Sequence, residues 1–146
     1  MKPTMSISKL LAAALLASVS STFAATPVYL VMDFSTEALM SKDTALGIWK
    51  AQVGDMHVKR LNKLYPVSKW GFVGQVEGGF TADKTCVVTA RAMMVPRSGK
   101  SLLFKPAKSA TAFDAKAGAT LDDCKALASA KLTEAIAAVS SSLVAP

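Results

Sequence analysis

Apolar side chains occupy both sides of the extended run TPVYLVMDFS, residues 26–35. Val28, Leu30, Met32 and Phe34 share one face, and Tyr29, Val31 and Asp33 share the other. Because the second face also carries apolar groups, the pattern predicts a first strand inside a sheet rather than at its margin. The period then changes: Leu46, Trp49, Val53, Met56, Arg60 or Leu61, and Leu64 recur at helical spacing. Ser41, Asp43 or Thr44 can cap this helix by accepting its first free amides, and Pro66 stops it. Gly47 and Gly54 each lower its helicity by about 1 kcal/mol, which predicts a frayed middle near Gly54.

Trp70, Phe72, Val73 and Val76, interrupted by glycines, predict a strand, with Glu77 to Gly79 as a turn or bulge. A further strand is predicted over residues 86–95, with Cys86, Val88, Ala90, Ala92 and Met94 on one face. Residues 96–99 read as a loop with Gly99 free to turn left-handed, before a short returning strand, SLLFK. Residues 106–120 are small and polar and predict a long mobile loop, with Phe113 docking its ring onto the body. Thr120 then caps a last helix whose first turn holds Asp122 and Asp123, where the exposed amides favour negative charge. Its stripe is Leu121, Cys124, Ala128, Leu132, Ala135, Val139 and Leu143, broadened by Leu127 and Ile136, with Lys125 and Lys131 facing water.

In the order β-α-β-β-β-α, these elements predict an α+β two-layer sandwich. Its sheet is predominantly antiparallel with about four strands, and two helices pack on one face.

Ahead of this domain, Lys2 and Lys9 precede an apolar run over residues 10–19 and a Ser/Thr patch, the layout of a secretory signal peptide. Thr22 and Ala24 predict cleavage after Ala24, leaving residues 25–146 as one domain of periplasmic or extracellular location. No later run reads as membrane-length, so no transmembrane anchor is expected after cleavage. Removing Lys2 and Lys9 takes the 17 Lys and Arg to 15 against 10 Asp and Glu, a net charge of about +5.

An exported destination favours oxidation of Cys86 and Cys124, the only two cysteines. Their bond would remove unfolded-chain entropy worth roughly 4 kcal/mol.

No catalytic set is evident in the sequence. His57 is the single histidine and has no series of ligands around it, no GxSxG elbow appears, and the cysteines form no CxxC pair. RSGKS at residues 97–101 lacks the preceding glycine spacing of a phosphate loop and reads as a basic hairpin tip. No metal, cofactor or nucleic acid is implied. The expected function is that of a small binding or inhibitory protein that engages another exported or envelope protein. Its candidate surface comprises Trp70 and Phe72 of the glycine-rich strand, Arg97 and Lys100 of the tip, and Phe113. The alternatives are an envelope hydrolase with a nonstandard carboxylate or histidine site, in a cleft joining His57 or Glu77 to other carboxylates (Asp33, Glu37, Asp55 and Glu77 being the candidates for a two-carboxylate glycosidase), and an envelope component that oligomerises through a sheet edge near Leu102 to Phe104. A monomer is the first expectation.

Overall fold

The computed structural model describes residues 28–55 and 58–145; the expected leader, Met56 and His57 lie outside them. The described elements run β1 (Leu30–Asp33), α1 (Lys42–Asp55), α2 (Val58–Leu64), β2 (Trp70–Phe80), β3 (Cys86–Ser98), β4 (Ser101–Leu102), β5 (Lys108–Lys116) and α3 (Leu121–Val144).

The fold is α+β, but it is not the two-layer sandwich with two helices that the hydrophobic pattern predicts. Its sheet of four to five strands is curled into a half-barrel and carries three helices. One departure begins at the connection between β1 and β2. Two helices carry the chain back across the sheet to the end where β1 begins, so β1 and β2 run parallel, with Leu30 opposite Gly71 and Asp33 opposite Gly74. β2 and β3 then pair antiparallel, as do β3 and β5, giving the order β1-β2-β3-β5, with β4 folded onto the end of β3. β1 is therefore an edge strand, not an interior one.

A second departure lies in β2, which continues through Glu77 to Gly79 instead of turning there. Gly78 has φ 143°, and a Cβ at that position would collide with the Val87 carbonyl oxygen of β3. A side chain would thus force the paired strands apart. β5 is the third departure, since it replaces most of the expected mobile loop. Its inward residues are small: Ala112 is buried and Ala110 half-buried, which lets α3 lie close to the strand.

The helices cover one face of the sheet. Trp49 of α1 packs on Phe72 with ring centroids 5.0 Å apart, and Tyr29 meets Phe72 edge-on at 5.2 Å. α3 begins as expected. The Thr120 side chain accepts from the Asp123 amide at 3.1 Å, and the Asp123 carboxylate accepts from the Thr120 amide at 2.9 Å, a reciprocal capping box. Cys124, Ala128, Leu132, Ala135, Ile136, Val139 and Leu143 are buried, while Leu121 at the helix start is exposed. By length and composition α3 is long and apolar enough to cross a membrane, a segment not expected from the sequence; its buried stripe accounts for that apolarity. Lys131 does not face water freely: it is largely covered and reaches Glu134 at 2.7 Å and Asp114 of β5 at 3.6 Å. Cys86 and Cys124 are bonded, with their Cα atoms 5.7 Å apart, tying the start of β3 to the first turn of α3.

Candidate functional site

At its far end β3 outruns the sheet and forms an arm. Arg97 pairs with Leu102 and Ser98 with Ser101, leaving Gly99 and Lys100 as a two-residue turn. Gly99 takes φ 59°, a left-handed conformation that suits the first position of a tight hairpin turn. The expected glycine turn is therefore present, but two residues long. Beyond β4 the chain is held close by backbone bonds from Leu103 N to Pro96 O at 2.8 Å and from Ala107 N to Met94 O at 2.9 Å. Between these two ties Leu103 and Phe104 project outward, Phe104 with 67% of its surface exposed.

The base of the arm is fixed by two side chains. Arg97 donates from Nε to the Gly99 carbonyl at 2.6 Å and from Nη1 to the Val67 carbonyl at 3.0 Å, while its own amide donates to Lys69 O at 2.7 Å. Its guanidinium is committed to backbone. Leu102 packs with Val73, Met93 and Val95, and a Cβ at Gly71 would come 2.5 Å from its Cδ2. The missing side chain at Gly71 thus makes the seat for Leu102. With its root anchored in this way, the arm needs little ordering before it meets a partner.

The electrostatics around the arm have one sign. From Lys84 through Phe113 the sequence holds Lys84, Arg91, Arg97, Lys100, Lys105 and Lys108 and no Asp or Glu. Among the described residues the ion pairs join Lys116 to Asp123 and Lys131 to Asp114 and Glu134, all away from the arm. Asp123 is held below the usual carboxylate range, first by its hydrogen bond from Lys116 and then by those from Thr120.

The five surface residues expected from the sequence do not form one patch. Phe72 is fully buried and belongs to the core. Trp70 is half-buried, its ring edge-on to Tyr65 at 5.5 Å. Of the glycines beside them, Gly71 faces Leu102 of the arm and Gly74 faces Trp49 of α1. Arg97 serves as the clamp, and only Lys100 of the basic tip is free in solvent. Phe113 does not dock onto the body: it lies in β5 with 77% of its surface exposed. It faces Thr89, whereas the arm leaves β3 at Pro96, so about 23 Å of strand separates them.

From the sequence, Leu103 and Phe104 enter only as part of an oligomerising sheet edge and not of the candidate binding surface, because the face each takes depends on the turn at Gly99. Among the described residues no cluster of three His, Cys, Asp or Glu side chains is placed to hold a metal ion. The buried Trp49 indole N–H and Ser140 hydroxyl lack partners, and both are enclosed in the core. No protein-family model matches the chain, and no curated protein matches it.

Proposed function

We propose that the mature chain is an exported binding or inhibitory protein whose contact surface is the arm from Ser98 to Ala107. The observation that carries this reading is the pairing of an exposed apolar tip, Leu103 and Phe104, with a root pinned by Arg97 and Leu102. Exposed aromatic groups on a preorganised support are the usual energetic centres of protein contacts. Lys100 and Lys105 flank the tip, so the partner surface that complements it is an apolar pocket with an acidic rim on another exported or envelope protein.

The test is affinity capture from the exported fraction of the cells that make the protein. The baits are oxidised mature protein and its Leu103→Ser/Phe104→Ser variant. Because both side chains are exposed, the variant keeps its fold. The same saturable partner should bind the native chain and lose at least about tenfold in affinity to the variant. Equal retention by both baits contradicts the arm as the contact surface.

A further inference from the structure

The edge formed by β1 points to a second copy of this chain as its partner. Phe34 N donates to Gly74 O at 2.9 Å and Thr36 N to Val76 O at 2.8 Å. In a parallel pair the backbone groups of alternate residues face alternate sides. Met32, Phe34 and Thr36 therefore face β2, and Val31 and Asp33 present their amides and carbonyls to the open side. Among the described residues no strand pairs with that side.

The two edges of the sheet differ in how they are protected. β5, the opposite edge, carries Lys108, Asp114 and Lys116, charges that discourage strand addition. β1 carries one charge, Asp33, and its carboxylate is occupied within its own chain by the Ser35 hydroxyl at 2.8 Å and the Ser35 amide at 3.1 Å. On the face turned away from the helices Met32 is 39% exposed and Phe34 54% exposed. Apart from its four-residue length and the self-engaged Asp33, this edge is apolar.

We infer that two copies join antiparallel through β1 about a two-fold axis at Met32. That register uses the free backbone groups. Val31 of one copy and Asp33 of the other form hydrogen-bonded pairs, and Met32 meets its own counterpart in a non-hydrogen-bonded pair. On the outer face Leu30 lies opposite Phe34, so three apolar pairs stand in one row across the axis. An axis at Asp33 would set the two carboxylates directly opposite each other; an axis at Met32 sets each opposite Val31. The pairing is isologous and closed, and it joins the two half-barrels into one continuous sheet. This replaces the monomer expected from the sequence, it moves the pairing edge from residues 102–104 to β1, and it is independent of what the arm binds.

The test is oxidative cross-linking of mature protein, with mass measured by sedimentation across a concentration series. At the axis the paired Cα atoms lie about 4.5 Å apart, within reach of a disulfide. Met32→Cys should give a cross-linked dimer at least about tenfold faster than Phe34→Cys, since position 34 faces position 30 rather than itself. The native chain should approach twice the monomer mass, and Met32→Glu, which sets two charges face to face, should remain monomeric. Val31→Pro removes an outward amide without touching the bonds to β2 and should also stay monomeric. A monomeric mass throughout the series, cross-linking at position 34 as fast as at 32, or cross-linking at 32 only to a different protein would overturn the inference.

Discussion

Tyr29 shows how one buried hydroxyl couples the fold to pH. Its Oη donates to the Tyr65 carbonyl at 2.6 Å, and burial pushes its pKa up to about 12. In the unfolded chain the same phenol ionises near its ordinary value of about 10. Between these values unfolding releases the proton. Tyr29 therefore contributes stability that is fully present below about pH 10 and is lost as the pH rises toward 12. Tyr29→Phe should show a shallower loss of melting temperature over that interval than the native chain; parallel curves would refute the assignment. At the same scale, Thr120 and Asp123 were legible because a cap and its partner lie within one turn. Arg97 was not, since one of its acceptors, the Val67 carbonyl, is 30 positions away in sequence and no local pattern points to it.

The elements divide along the same line. α3 could be read directly because its stripe has one period and its start has a cap, and the structure buries that stripe. β5 could not. Its run KSATAFDAK is small and polar, and it becomes a strand because β3 supplies its hydrogen bonds and α3 tolerates only small residues beneath it. Strand preference there reflects tertiary context rather than intrinsic propensity. β1 was legible as a strand, but its parallel pairing and edge position were set by the crossover through α1 and α2. The bond between Cys86 and Cys124 joins the strand and the helix that organise the core. Replacing both with alanine should cost on the order of 2 to 5 kcal/mol in denaturant unfolding, while unchanged stability would show that the bond contributes nothing to the folded chain.

For the whole molecule, the curl and the arm come from groups whose effects are long-range. Gly78 lets β2 stay paired with β3 beside the Val87 carbonyl, and the space above Gly71 seats Leu102 at the root of the arm. Glycines in a strand pattern announce a close approach without saying what approaches, which is why the sequence placed Phe72, a core residue, on the candidate surface. The basic run from Lys84 to Lys108 was visible, but which cations are free and which are structural depended on the hairpin register.

If the anchored arm makes the contact, photo-cross-linking in the cells that make the protein will catch the partner there, with a benzophenone side chain replacing Phe104 or, separately, Phe113. Both positions are exposed, and about 23 Å of strand separates Phe113 from the root of the arm. One cross-linked species of defined mass is expected from position 104 and none from position 113. Cross-linking from position 113 alone, or the same species from both positions, would contradict it.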